Sequence, residues 1–430
     1  MKERSRALLT RTNPYREELP NGLILRSVAN AADVERLAAF NSTIHGTGVA
    51  DMTRELILHH PDTRPEHWLY VEDSSKSEIV SSLCLIPWTL HYGEVTLQAG
   101  EMGIVGTRED YRHQGLVRAQ AARHAALLRT GGYHLSHIQG IPYFYRQFGY
   151  EYALPLEGGW RLELDMIRDA AGSPAEHTYR LANASDIASL RRLYGRATSD
   201  LAASTARSEG VWRYLLGPSM QTEMMAETWL VLDAQEKRVA YLRIPRAGFG
   251  EGLIVNEASQ LSAPTSAAVL RQLKRWSIDR GKPYIRLCLP ETSTLVEAAR
   301  YLGAHSLGHY AWQIKLVDIR QLMLRIGPVL ERRIAESPFA GLTEIVCLNL
   351  YRKAYALHFR EGRLESVESL GFSEQGGIRI PPLLLAPLVL GYRSREELAQ
   401  AHPDVSVSPR WQPLIDVLFP KQSSFLYTVY

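Results

Sequence analysis

Cysteine is scarce in this chain. Cys84, Cys288 and Cys347 are the only three, and they stand far apart. Each lies in an apolar, strand-like run, so they read as buried, reduced thiols, and no Cys/His pair has metal-ligand spacing. A surplus of one charge sign is missing too. The net charge is +3 with both signs mixed, which argues against a dedicated nucleic-acid binder and its clear basic excess. Long apolar runs are absent: the longest, residues 380–390, is broken by proline and too short to span a bilayer. The charged start Met1-Lys2-Glu3-Arg4-Ser5-Arg6 leads into no apolar segment, which argues against a secretory signal. The expectation is a cytoplasmic protein with no metal, nucleic-acid or membrane partner. What is present is an ordinary globular composition, 45% hydrophobic and 22% charged over 430 residues, enough for two to four domains.

The stretch from Gly103 to Tyr150 carries the most information. Met102-Gly103-Ile104-Val105 is a short apolar run that reads as a strand, and residues 107–110 read as a charged loop. Leu116 opens a helix on which Val117, Ala121, Ala125 and Leu128 share a face, until Gly131-Gly132 stops it. Residues 112–115 therefore stand where a strand hands over to a helix. The first amides of a helix have no internal partner, and its dipole favours an anion there. Gly115 lets the backbone approach a phosphate closely. Arg112, Arg118 and Arg123, with His113 beside them, can pair with further phosphate oxygens. A second strand over residues 135–139 leads to the aromatic turn Phe144-Tyr145-Arg146-Gln147-Phe148-Gly149-Tyr150. Tyr133, Tyr143, Tyr145, Tyr150 and Tyr152 crowd this region, and most tyrosines in such a cluster simply pack.

The loop Arg112-His113-Gln114-Gly115-Leu116-Val117 and the turn from Phe144 to Tyr150 together resemble the acetyl-CoA-binding core of the GNAT superfamily of N-acetyltransferases. Its loop is Gln/Arg-x-x-Gly-x-Gly/Ala and its later motif Phe-Tyr-x-x-x-Gly-Phe/Tyr. Val117 departs from the family's Gly or Ala. The Gly115-Leu116-Val117-Arg118 run is closer to the enhanced intracellular survival (Eis) subgroup, which carries Arg-Gly-Leu-Leu-Arg. The resemblance implies acetyl-CoA as co-substrate and an amine as acceptor. It implies that backbone groups of Val105 and Thr107 pair with the pantetheine arm. His113, Gly115 and Leu116 would hold the pyrophosphate, with Arg112, Val117 and Arg118 around it. Gly140 and Ile141 would line the splayed strand end beside the thioester. Tyr145 would be the general acid that protonates the departing thiolate.

The rest of the chain reads as an α/β (α+β) protein, and the resemblance implies tandem GNAT folds followed by a sterol-carrier-like C-terminal domain. Residues 23–26, 68–71, 79–86 and 90–97 read as strands, with helices from Asp33 to His45 and over residues 51–60. A linker is expected at residues 170–174. After it, residues 180–190 echo residues 27–37, and a strand at 228–232, a helix at 266–279 and a strand at 284–289 repeat the order of the first half. Where the first half has its phosphate loop, the second has Leu261-Ser262-Ala263-Pro264-Thr265, with no Arg-x-x-Gly and an amide lost to Pro264. The expected domains are residues 1–165 with the coenzyme site, 176–315 without one, and 316–430. In the last, residues 319–336, 380–392 and 394–402 read as helices and 342–349, 354–360 and 363–369 as strands.

The end of the chain is apolar and aromatic, Phe425-Leu426-Tyr427-Thr428-Val429-Tyr430, whereas free tails are usually polar and mobile. It is expected to be tucked inside. In Eis-like enzymes the terminal carboxylate serves as general base in the first domain, which assigns that role to Tyr430. Glu94, Glu101 and Asp51 are the candidates for an acidic acceptor wall, with Glu101 the best placed. The implied activity is acetyl transfer to a polyamine-like molecule, an aminoglycoside or a lysine, in a homo-hexamer. A longer acyl-CoA as donor, and a non-catalytic CoA- or lipid-binding protein, are the alternatives.

Overall fold

The computed structural model describes residues 14–156, 158–168, 177–308, 310–374 and 376–430. The chain opens with β1 (Arg16–Glu18) and β2 (Leu23–Ser27), followed by helices α1 (Ala31–His45) and α2 (Gly48–His59). Asn30 caps α1 by accepting the Asp33 amide at 3.0 Å, so the helix starts at Ala31 rather than at Asp33. An antiparallel meander follows: β3 (Trp68–Asp73), β4 (Glu78–Tyr92) and β5 (Val95–Thr107). The strand expected at residues 90–97 is instead the hairpin turn joining β4 to β5, where Tyr92 pairs with Val95 across Gly93 and Glu94. Alternation continues on both sides of a two-residue turn, so periodicity hides the reversal.

Next come α3 (Leu116–Thr130), β6 (Leu135–Ile138), β7 (Glu151–Leu156) and β8 (Trp160–Glu163). The buried face of α3 carries Leu116, Gln120, Ala121, His124 and Leu128, while Val117 and Ala125 are only half-buried. The stripe is thus rotated from its expected position towards two polar side chains.

The second half contains β9 (Thr178–Leu181), α4 (Ile187–Thr198), β10 (Ala203–Ala206), α5 (Glu209–Leu216), β11 (Ala226–Leu232) and β12 (Arg238–Pro245). It continues with β13 (Leu253–Val255), β14 (Glu257–Ala258), α6 (Ala263–Asp279), β15 (Tyr284–Leu287), α7 (Thr294–Tyr301), β16 (His305–Ser306) and β17 (Tyr310–Leu316). The sequence echo falls at matching strand-to-helix junctions: Asp33 accepts the Ala29 amide, and Asp186 accepts the Asn183 amide, both at 3.0 Å. The expected linker at 170–174 lies outside the described residues.

The two halves exchange strands. β17 lies antiparallel between β6 and β7, giving the order β1-β2-β3-β4-β5-β6-β17-β7, with β10 added on the edge of β4. In return β8 pairs with β15 and β16. Neither half closes its own sheet.

The third part holds α8 (Ile319–Ala335), β18 (Glu344–Asn349), β19 (Ala354–Arg360), β20 (Arg363–Gly371), β21 (Ile378–Arg379), α9 (Leu385–Val389), α10 (Arg395–Ala401), β22 (Ser406–Val407) and α11 (Gln412–Leu418). The helix expected over 380–392 shrinks to a 3-10 turn and the short α9, because Pro381, Pro382 and Pro387 each remove an amide donor. Ser394 caps α10 with a reciprocal box: it accepts the Glu397 amide (3.1 Å), and the Glu397 carboxylate accepts the Ser394 amide (2.9 Å). One hydrophobic core runs through all three parts, from Leu37 in α1 through Leu270 in α6 to Leu414 in α11. A second lies under α3 and includes Leu69, Met102, Leu116, Tyr145 and Tyr150. Among the described residues, no helix is long and apolar enough to cross a membrane. Among the described residues none of the three cysteines forms a disulfide; Cys84 and Cys288 are buried and Cys347 half-buried.

Candidate active site

The first sheet opens at its centre. β5 and β6 pair in parallel only from Ala99 to Glu101, opposite Leu135 to His137. β6 then ends at Ile138, while β5 runs on to Thr107. Past Glu101, the edge of β5 that faced β6 has no strand beside it among the described residues. A bulge helps to turn this edge: the register with β4 shifts between Ser82 and Cys84, and Ile104 takes a positive φ of 46°. Gly103, Ile104, Val105 and Thr107 are half-buried along the gap, and Thr107 is tied through its hydroxyl to Ser81 at 2.8 Å. An open strand edge offers amides and carbonyls to any extended ligand that carries amides of its own.

The gap leads to the start of α3. His113 (φ 64°) and Gly115 (φ 77°) curl the loop, and the helix opens with the Ala119 amide donating to the Gly115 carbonyl at 3.0 Å. The amides ahead of that bond form the free N-terminus of the helix. A Cβ on Gly115 meets nothing within 4 Å, so a ligand has room to approach the backbone there. Arg112, His113 and Arg118 are exposed, Leu116 is buried beneath the loop and Val117 is half-buried. Arg112 rests 3.7 Å from Glu109. Arg123 is placed otherwise: it stacks over the Tyr15 ring at 3.9 Å.

Beyond β6 the chain passes Gly140 and Ile141 and enters the 3-10 turn Phe144–Phe148. Tyr145 is buried against Gly140: a Cβ at that glycine would lie 2.3 Å from the Tyr145 ring. Burial, followed by the neighbouring Tyr310, pushes the Tyr145 phenol up to about 12. Two residues of β17 hold the same backbone. The Tyr310 phenol donates to the Gly140 carbonyl, and Gln313 donates to it at 3.0 Å and to the Ile141 carbonyl at 3.3 Å. The Ile141 side chain is 64% exposed. Tyr150 is a packing residue whose phenol pairs with Ser136 at 2.7 Å. Beside this turn a cavity of about 660 Å³ opens between Tyr152 and Tyr310 on one side and Tyr392, Arg393 and His402 on the other.

At the point where β5 and β6 part, Glu101 is 3% exposed. It accepts the Trp88 indole N–H at 3.0 Å and the Tyr430 phenol at 2.8 Å. Burial raises its carboxyl to about 8, although both hydrogen bonds pull the other way. Tyr430 is 7% exposed, and its last oxygen accepts the Thr428 hydroxyl at 2.8 Å. The end of the chain is therefore buried, as its apolar composition suggested, with the Tyr430 phenol against Glu101 of the first sheet. His137, opposite Glu101, lies edge-on between Trp88 and Trp312 at 4.7 and 5.1 Å, and burial keeps it neutral, with a value of about 3. The other two candidate wall carboxylates are occupied at the surface, Asp51 by Arg54 (2.9 Å) and Glu94 by Arg332 (3.1 Å). Among the described residues no cluster of His, Cys, Asp and Glu is placed to hold a metal ion.

Tyr310, Gln313 and Trp312 escaped the sequence reading. They come from the far end of the second half, and only the strand exchange brings them to the gap. Glu101 was read as an acceptor-side acid, and its contact with Tyr430 left no local signal.

Comparison with known proteins bears on this geometry. Residues 41–153 match the family model described as acetyltransferase (GNAT) domain. No curated protein sequence matches the chain. In fold it is similar to a GCN5-related N-acetyltransferase from Anabaena variabilis, at 14% identity and a TM-score of 0.69, covering 94% of this chain and 99% of that one. A GCN5-related N-acetyltransferase from Kribbella flavida gives 16% identity and a TM-score of 0.65, covering 95% and 100%. Eis1 from Mycobacterium abscessus gives 15% identity and a TM-score of 0.62, again covering 95% and 100%. The GNAT acetyltransferase domain model is thus matched within a mixed α/β fold that the whole chain shares with these structures.

Proposed function

We propose that this GNAT-domain protein transfers an acetyl group from acetyl-CoA to a primary amine of a polyamine-like molecule, an aminoglycoside or a lysine. One observation carries the reading. A single gap joins a free helix N-terminus, an unpaired strand edge, a buried phenol and a buried carboxylate. Acetyl-CoA has a pyrophosphate, an amide-bearing arm and a thioester in the matching order. On this reading the loop at Arg112, His113, Gly115, Leu116, Val117 and Arg118 takes the pyrophosphate, and the backbone of Val105 and Thr107 takes the arm. Gly140 and Ile141 flank the thioester. The amine nitrogen attacks the thioester carbon, the carbon–sulfur bond breaks, and the Tyr145 phenol gives its proton to the sulfur. The acceptor approaches through the cavity beside Tyr310.

Two groups can take the proton that the amine loses. The terminal carboxylate of Tyr430 is the first. The second reading is Glu101, favoured by its burial, its raised pKa and its bond to the Tyr430 phenol, a combination typical of general bases. We also read the chain as three domains, 1–165, 176–315 and 316–430, the last sterol-carrier-like, in a cytoplasmic homo-hexamer.

The test is thiol release from acetyl-CoA with a panel of aminoglycosides, polyamines and lysine peptides. Tyr145→Phe is expected to lower kcat by at least about a hundredfold, and Arg112→Ala mainly to raise the KM for acetyl-CoA. Tyr430→Phe keeps the carboxylate and loses the bond to Glu101, whereas deletion of Tyr430 removes that bond and withdraws the terminal carboxylate by one residue, to Val429. A large loss on deletion with little change in Tyr430→Phe assigns the base to the carboxylate. A large loss in Glu101→Gln, with the Tyr430→Phe loss falling between, assigns it to Glu101. Failure of the protein to bind acetyl-CoA refutes the reading.

A further inference from the structure

Behind the tail lies a buried ion cluster that the acyl-transfer chemistry does not use. Arg207, the residue after β10, grips both oxygens of Glu257 at 2.6 and 2.7 Å. Tyr241 donates its phenol to the same carboxylate at 2.6 Å. Arg243 approaches from β12 to 3.6 Å. The Arg207 and Arg243 side chains are 0% exposed and that of Glu257 is 2% exposed. Two guanidiniums against one carboxylate are costly to bury, and well-packed apolar residues often hold a core as well or better. The three nitrogens of Arg243 have no hydrogen-bond partner among the described residues. Core stability alone does not explain such a cluster.

What the cluster grips is the C-terminal tail. Arg207 donates to the Thr428 carbonyl through Nε at 3.1 Å and through Nη2 at 2.6 Å. The same tail is laid along β10: the Ala202 amide donates to the Ser423 carbonyl (2.8 Å), and the Phe425 amide to the Ala203 carbonyl (2.9 Å). β10 itself is paired to β4 of the first sheet. Thr428 passes the constraint on, because its hydroxyl both donates to the last oxygen of Tyr430 (2.8 Å) and accepts the Tyr430 amide (3.2 Å). Two residues past the clamp, the Tyr430 phenol meets Glu101.

We infer that Arg207, braced by Glu257, is a positioning residue for acyl transfer: it pins the Thr428 carbonyl and so holds Tyr430 at Glu101. The inference rests on the reading that Tyr430 and Glu101 serve the reaction. It gives the second half, which lacks the Arg-x-x-Gly loop, a part in the chemistry of the first.

The test pairs tail protection with kinetics in the full-length protein. Arg207→Met removes the clamp and leaves Glu257 facing Arg243 at 3.6 Å, so no buried charge is left alone. Carboxypeptidase A is expected to release Tyr430 at least tenfold faster from this variant than from wild type. Its kcat is expected to fall at least tenfold, with the KM for acetyl-CoA unchanged. In a background lacking Tyr430 the same substitution is expected to cost no further kcat. Arg207→Lys, which keeps the charge but loses the fork, carries the same measurements if Arg207→Met does not fold. An equally protected tail, or losses that multiply in the deleted background, overturns the inference. If deletion of Tyr430 alone leaves kcat intact, the underlying reading has failed. If deletion is costly and the clamp variants are not, the clamp has failed.

Discussion

Tyr145 owes its place to a hydrogen atom on its neighbour. Only glycine at position 140 leaves room for the ring, since a Cβ would lie 2.3 and 2.4 Å from two ring carbons. Gly140→Ala is therefore expected to displace the phenol and lower kcat by about tenfold or more, since misplacement by about 1 Å can cost a hundredfold. Acetyl-CoA affinity measured by calorimetry should change little. Glu101 gives a pH signature. Burial lifts its carboxyl from 4.5 to about 8, so the folded protein holds this proton more tightly than the unfolded chain. Its contribution to stability is whole below about 4.5 and is lost as pH rises through about 8. Urea unfolding between pH 5 and pH 9 should show that decline, and Glu101→Gln should flatten it. If Glu101 is the base, kcat/KM rises towards a plateau above pH 8 over the same interval, because a base works only once its proton is gone.

Among the elements, α3 matters through its first turn. Gly115 holds a φ of 77° with open space where a Cβ would go, so the cost of a side chain there is backbone strain. Gly115→Ala is expected to cost about 1 kcal/mol of stability and to raise the KM for acetyl-CoA several-fold while kcat is kept. Chemical denaturation and saturation kinetics on the same sample separate the two effects. An unchanged KM would place the pyrophosphate elsewhere. The opposite edge of the gap depends on β17, whose Tyr310 and Gln313 hold the Gly140 carbonyl.

For the assembled chain the strand exchange has a consequence. Without β17, the edges of β6 and β7 lose their shared partner, and unpaired strand edges inside a sheet promote aggregation. A fragment covering residues 1–165 is expected to lack cooperative unfolding, even though it contains every loop and turn residue of the coenzyme motif. Adding residues 177–430 as a separate chain should restore cooperativity and acetyl-CoA binding. A folded, coenzyme-binding fragment would show that the exchanged strand is dispensable. The tail extends the same dependence across the full length, since Thr428 is held by Arg207 and Tyr430 by Glu101.

Local cues were enough to read the helix α3 with its leading glycine, the aromatic turn, most of the strands and the buried end of the chain. Each of these depends on near neighbours: a glycine before a helix, an alternation, a run of apolar residues with nowhere else to go. The turn at Gly93 and the shortened helix after Ile380 were misread because a periodic pattern continued through them. The placement of β17, the grip of Arg207 on Thr428 and the meeting of Glu101 with Tyr430 join residues far apart in the chain, the last pair separated by 329 positions. Contacts of that kind arise from sheet order and packing rather than from neighbouring residues. Chain assembly thus determined how these residues meet, while the local sequence determined the helices, turns and most of the strands that carry them.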